Sequence, residues 1–134
     1  MSSVFTKIIN REIPGYIVAE DDSHIAFLDI NPLVMGHTLV VPKKEVDYIF
    51  DLNDDAFCGL QLFCKKVARA IESVVACERI GIAVIGLEVP HTHVHLVPLN
   101  TMDDINFSRP KLSPSADRLV EIADAIKNAF HPEG

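Results

Sequence analysis

The stretch Pro90-His91-Thr92-His93-Val94-His95-Leu96-Val97-Pro98 carries three of the chain's six histidines, at every second position. Side chains alternate between the two faces of a β-strand with a rise of about 3.3 Å per residue, so His91, His93 and His95 would share one face at intervals of roughly 6.6 Å. Thr92, Val94 and Leu96 would then point the other way, toward a core. Three readings suit such a row. It can be a solvent-facing polar strand with no further role, although Thr or Lys would serve there equally well. It can bind a metal, two imidazoles from the strand being joined by a third ligand from elsewhere. Or it can work at phosphorus. An imidazole with the ordinary pKa of ~6.5 is largely neutral at pH 7 and nucleophilic through one nitrogen, while its neighbours stabilise phosphate oxygens. Crowding divides those labours, because like charges this close disfavour protonation of all three together.

Elements on both sides must position that row. Phe5, Ile8 and Ile9 have helical spacing in a short segment that ends before the turn signal Pro14-Gly15. Tyr16 to Glu20 and Ser23 to Leu28 read as two strands of a hairpin joined at Asp21-Asp22. After a loop from Asn31 to Gly36, His37 to Val41 is a third strand, closed by Pro42, which has no N–H to give a ladder. Phe57, Leu60, Cys64, Val67, Ile71 and Val74 recur at three- and four-residue steps, predicting a long helix over Asp54 to Ala76 capped by Asn53. Asp54 and Asp55 suit its positive end. Arg79 to Ile85 and Thr92 to Leu99 follow as strands. Ser115 caps a last helix with Leu119, Ile122, Ala123, Ile126 and Phe130 in helical period. The fold class is α+β with an antiparallel sheet.

The bulk properties exclude several functions. With 134 residues, 49% hydrophobic and 23% charged, the chain suits one globular domain rather than a disordered segment. A net charge of -7, with no basic run beyond Lys43-Lys44 and Lys65-Lys66, argues against nucleic acid as a partner. A small phosphate ligand held by a few local donors remains compatible with it, since salt screens the distant field within about 10 Å. Cys58, Cys64 and Cys77 are odd in number and lack CxxC spacing. Cys58 and Cys64 fall on the apolar side of the long helix, and all three are expected to be reduced core or near-core thiols of a cytoplasmic protein. No signal-peptide pattern and no apolar run near ~18 residues is present, so neither secretion nor membrane association is expected. His24 is expected on the surface of an edge strand and His131 in an exposed tail.

His91-Thr92-His93-Val94-His95-Leu96-Val97 resembles the signature HφHφHφφ of the histidine triad (HIT) family of nucleotide hydrolases and transferases, Hint-like enzymes among them. The likeness extends through "FTKIINREIPGYIVAEDDSHIAFLDINPLVMGHTLVVPKK" and covers roughly Val4 to Leu99. It implies a five-stranded antiparallel sheet with one long central helix, extended across a homodimer, and a pocket for a purine nucleotide. Residues 1–134 would form a single HIT domain, with 100–134 as a C-terminal extension carrying a helix. The resemblance implies that His93 attacks the α-phosphate to give a nucleotidyl-histidine, that the main-chain carbonyl of His91 orients it, and that His95 and His37 bond phosphate oxygens and assist the leaving group. Asp29 matches the acid that binds ribose, and Phe5, Ile8, Phe27 and Ile30 match apolar positions around the base. Phe5, Ile8 and Phe27 read equally as core, and Asp29, before Ile30-Asn31-Pro32, has a turn residue as its lesser alternative.

Three departures from the family pattern matter. Where zinc-carrying members have a CxxC and a later His, this chain has Ser3, Thr6 and Glu45, so no structural metal and no cofactor is expected. The glycine-rich loop before the triad, which in the family usually sets a Gln and a Ser or Thr near the phosphate, is shortened to Gly86-Leu87-Glu88-Val89-Pro90, so the resemblance does not carry those phosphate contacts over. Residues beyond Leu99 carry over no site. His95 stands where the branch acting on sugar phosphates has Gln, which favours a hydrolase. The expected activity is cleavage of a phosphoramidate or phosphoanhydride at a nucleoside 5'-phosphate, most simply adenosine. Its alternatives are dinucleoside polyphosphate hydrolysis, a nucleotide-binding module with little catalysis, or a metal-binding protein.

Overall fold

A computed structural model describes residues 3–133. The order of elements is α1 (Val4–Ile9), β1 (Ile17–Glu20), β2 (His24–Leu28), β3 (Thr38–Pro42), α2 (Asp54–Val74), β4 (Arg79–Ala83), β5 (Val94–Leu99) and α3 (Ala116–Ala129). Short 3₁₀ turns at Ile49–Asp51 and Met102–Ile105 complete it. The strands form one antiparallel sheet in the order β1-β2-β3-β5-β4. The α+β architecture with five strands is as the sequence predicts.

The two faces of the sheet follow from residue alternation. On β2, Ala26 and Leu28 join Val40 and Val94 in the larger core beneath α2 and α3, whereas Ile25 and Phe27 join Leu39 and Val41 in a second cluster beneath α1. Leu39 lies opposite His95 across the β3–β5 pair, and Val40 lies opposite Val94. His95 therefore sits on the α1 face, beside the Phe5 and Phe27 cluster, and Val94 and Leu96 face the main core.

Helix α2 holds the sheet from behind. Asn53 caps it, its Oδ1 accepting from the Ala56 N–H at 2.8 Å. Leu60, Phe63, Cys64, Val67, Ala70 and Ile71 form its buried stripe, each large side chain contributing roughly 1.5–3 kcal/mol on burial. Truncating the fully buried Leu60 to Ala is expected to cost about 2–5 kcal/mol. Cys58 lies off this stripe and is exposed, contrary to expectation, because it is only two residues from Leu60 and so turns roughly 200° around the helix from it. Cys64 is buried, which pushes its thiol up to about 12.

The strand predicted over Thr92 to Leu99 begins two residues late, at Val94. Its neighbour β3 ends at Pro42, which lacks the N–H that would continue the ladder. Thr92 bonds instead to the Val46 carbonyl through both its N–H (2.7 Å) and its hydroxyl (2.6 Å). His24 also differs from expectation. Strand β2 has partners on both sides, and the His24 ring stacks on Phe63 with centroids 5.0 Å apart while its Nδ1 lies 3.0 Å from Asp21 Oδ1. His131 is exposed, as expected.

Candidate functional site

Four histidines converge on the α1 face, and all are buried: His37 on the turn into β3, His91 and His93 before β5, and His95 within it. The solvent-facing reading of the row is thereby excluded. Gly36 sets up His37: its φ of +94° is costly for any residue with a Cβ, and an added Cβ would come within 3.1 Å of Val75. The Asp29 N–H donates to the His37 carbonyl at 3.0 Å, closing the loop between β2 and β3.

Hydrogen bonds determine where the protons sit. His93 Nδ1 lies 2.8 Å from the His91 carbonyl oxygen. A carbonyl only accepts, so Nδ1 of His93 carries a proton, and in the neutral ring the lone pair is on Nε2. That Nε2 has no protein partner among the described residues, where every fully buried side-chain nitrogen and oxygen has one, so it is the atom left open to solvent. The Leu33 N–H donates to His37 Nδ1 at 3.1 Å, which puts the His37 proton on Nε2. Nε2–H donates in turn to His95 Nδ1 at 2.9 Å, so His95 presents a free Nε2–H. Burial, then the neighbouring charge of His95, pulls His37 down to about 3. Burial, then His93, pulls His95 down to about 4. Both are uncharged donors at neutral pH.

At the other end of the row, His91 is fully buried and both its nitrogens are occupied. Nε2–H donates to the Pro42 carbonyl at 2.7 Å, and the Ser3 hydroxyl donates to Nδ1 at 2.8 Å. The same Ser3 oxygen caps α1 by accepting from the Thr6 N–H. Glu45 Oε1 accepts from the Ser3 N–H at 2.6 Å and the Thr6 hydroxyl at 2.7 Å, which holds its carboxyl at about 2. Ser3, Thr6 and Glu45, singled out in the sequence as a set, are thus gathered around His91 by direct hydrogen bonds.

The remaining candidates are placed as follows. Phe5 packs its ring edge-on to His93 at 4.9 Å and against Phe27 at 5.5 Å, and Ile8 is buried in the same cluster. Ile30 is 56% exposed. Asp29 accepts from the Asn31 N–H at 2.9 Å as a turn residue, while its Oδ2 lies 3.9 Å from His37 Nε2. Burial raises its pKa. Asp29, His37 and His95 offer ligand atoms within 4.8 Å of one another, the arrangement that could hold a metal. A cation there would have to displace the proton shared by His37 and His95.

His93 also lines a cleft of about 560 Å³ whose other walls include Tyr48, Phe50, Phe57, Ile82 and Leu87. Sequence reasoning passed over Tyr48-Ile49-Phe50, although three large apolar residues in a row between a strand and a helix cap were a signal. It also passed over Phe107, whose ring edge meets His95 at 4.8 Å and His37 at 6.2 Å. No spacing connects Phe107 to the histidine row.

Residues 10–102 match the HIT domain family. A HIT-like protein of Borreliella burgdorferi is 38% identical, covering 92% of this chain and 94% of its own. A Schizosaccharomyces pombe protein named adenosine 5'-monophosphoramidase is 35% identical, over 73% of this chain and 74% of its own. The crystal structure of a Hit-like protein from Bartonella henselae superposes with a TM-score of 0.83 at 29% identity, covering 96% of both chains.

Proposed function

The chain belongs to the HIT family, and from that premise we propose that it is a nucleotide hydrolase that cleaves a phosphoramidate or phosphoanhydride bond at an adenosine 5'-phosphate. The observation that carries this reading is the 2.8 Å bond from His93 Nδ1–H to the His91 carbonyl, which leaves the Nε2 lone pair open. In the proposed reaction that lone pair attacks the α-phosphorus. The N–P bond forms as the bond to the leaving group breaks, and the leaving group takes any proton it needs from solvent. Water then attacks the nucleotidyl-histidine, releases the monophosphate and restores the ring.

His95 Nε2–H donates to a phosphate oxygen in this scheme. His37, with both nitrogens engaged, acts through His95 by fixing its tautomer, and a direct phosphate contact would need it to change partner. Asp29 binds the ribose hydroxyls, and Phe5, Ile8, Phe27 and Ile30 border the base. The fission yeast relative's name supports an adenosine phosphoramidate as substrate. A homodimer is part of the proposal: β4 is an edge strand, and Ile82 on it, with Val84 and Ile85 just beyond it in sequence, exposes large apolar side chains that a second copy would cover.

The test is turnover of adenosine 5'-phosphoramidate by the wild type and by His93→Ala. The variant is expected to lose at least about 10³-fold in turnover. Equal turnover by both proteins would remove His93 as the nucleophile.

A further inference from the structure

The connection from β5 to α3 returns across the histidine site. Arg109 Nη2 donates to the Leu33 carbonyl at 2.7 Å and the Leu112 N–H donates to the Pro32 carbonyl at 2.9 Å, so this connection is fastened to the loop that bears Asp29. Phe107 closes against His95. Between the two fastening points lies Lys111. Arg109 is committed to carboxylates, its Nη1 lying 3.1 Å from Asp103 and 3.6 Å from Asp104. Lys111 makes no ion pair among the described residues, and its side chain is exposed.

A phosphate placed on His93 and His95 meets an electrostatic problem. The chain carries a net charge of -7, the nearby carboxyl of Asp29 adds local negative charge, and the imidazole donors His37 and His95 are uncharged. Neutral donors bind an anion more weakly than a charge-assisted contact does. The segment between β4 and the triad, Val84 to Pro90, contains no lysine or arginine. The Leu112 N–H bond to the Pro32 carbonyl sets the adjoining Lys111 against the loop that bears Asp29, and Phe107 of the same connection meets the rings of His95 and His37. In keeping with that placement, the Lys111 charge acts to lower Asp29, His37 and His95 alike.

We propose that Lys111, carried by the fastened connection, is the phosphate-binding cation of this site and selects phosphorylated nucleosides over uncharged ones. The inference rests on the nucleotide reading above and adds a residue that its histidine row does not contain. Lys111 acts as a point charge on a flexible stem, so arginine in its place keeps the contact and alanine removes it.

Calorimetric titration of the full chain with AMP and with adenosine tests this. Lys111→Ala is expected to weaken AMP roughly tenfold to a hundredfold and leave adenosine unchanged, while Lys111→Arg holds within about threefold of wild type. Raising the salt should weaken AMP more for the wild type than for Lys111→Ala. Parallel weakening of AMP and adenosine would make Lys111 a structural prop and overturn the proposal. Unchanged AMP affinity would overturn it too, while leaving the hydrolase reading intact. Absence of AMP binding by the wild type would overturn both.

Discussion

The two ends of the histidine row are built in opposite ways. At the His91 end, hydrogen bonds of 2.6 to 2.8 Å join Pro42, Ser3, Thr6 and Glu45 so that both ring nitrogens are filled. At the His95 end, one nitrogen takes the His37 proton and the other is left as a free donor. The surroundings there are aromatic edges and a connection fastened from more than 70 residues away in sequence. His93 stands between and takes a property from each side: a fixed tautomer from the His91 carbonyl, and an open face beside His95. The comparison teaches that one end of the row is an anchor and the other is a working surface, although the residues are of one type at one spacing.

Substitution at the two ends should therefore fail differently, and this is the largest effect expected. His95→Ala should lower turnover by about 10²–10⁴-fold and, because it strands only the His37 Nε2–H, lower the urea midpoint modestly. His91→Ala, which strands both the Ser3 hydroxyl and the Pro42 carbonyl in a buried place, should lower the midpoint further. Turnover and urea melts on both variants decide it, and loss of rate at equal stability in both would erase the distinction between the ends.

Acid should expose the working end next. In the unfolded chain His37 and His95 take up protons near pH ~6.5, but in the fold only near about 3 and about 4. Between those values the unfolded state holds more protons. The stabilisation is therefore complete above ~6.5 and is lost as pH falls toward 4 and below, on the order of a few kcal/mol for the pair. Asp29, whose burial raises its pKa, opposes part of this at the acid end of the window. Urea midpoints measured from pH 7 to pH 4.5 should fall for the wild type and fall less for His95→Ala. A flat wild-type profile would mean that the two rings are not buried as neutral donors.

The scaffold was more legible in the sequence than the contacts it brings together, for a physical reason. Period-two alternation in a strand and period-3.6 stripes in helices are local rules, so α2, its Asn53 cap and the inward Val94 and Leu96 could all be read directly. The late start of β5 could not, because it depends on Pro42, which the register would set opposite Thr92 and which has no N–H to extend the ladder there. His24 was misplaced on an edge because strand order is a long-range property that no hairpin signal contains. Ser3, Thr6 and Glu45 stood out as a set, but their mutual bonding needs α1 folded over the row. Phe107 and Lys111 had no periodic relation to anything in the site, since loops converge through tertiary packing rather than through repeats.

Ser3 offers a smaller and sharper probe of the anchor. Ser3→Ala removes the donor to His91 Nδ1 together with the cap of α1, leaving a buried acceptor unpaired, and should cost about 1–3 kcal/mol. Turnover should fall as well, because a His91 freed from Ser3 holds its carbonyl less firmly under His93. Ser3→Thr keeps the hydroxyl and is expected to recover most of both losses. A Ser3→Ala protein with wild-type melting and wild-type turnover would show that His91 is held by Pro42 alone.

Phe107 should yield the smallest change. Its ring touches His95 and His37 by the edge and is only half-buried, so Phe107→Ala gives up a pair of edge contacts worth about 0.5–1.5 kcal/mol and creates no enclosed cavity. The rest of the connection stays fastened through Arg109 and Leu112, which argues for intact folding. Water gains access to the His95 donor, and turnover should drop severalfold with little shift in the urea midpoint. The informative quantity is the ratio of the two effects. Rate falling faster than stability at Phe107, and stability falling at least as far as rate at Ser3, is the pattern that a working end and an anchored end require, whereas matching ratios at both positions would mean that the whole row is held in one way.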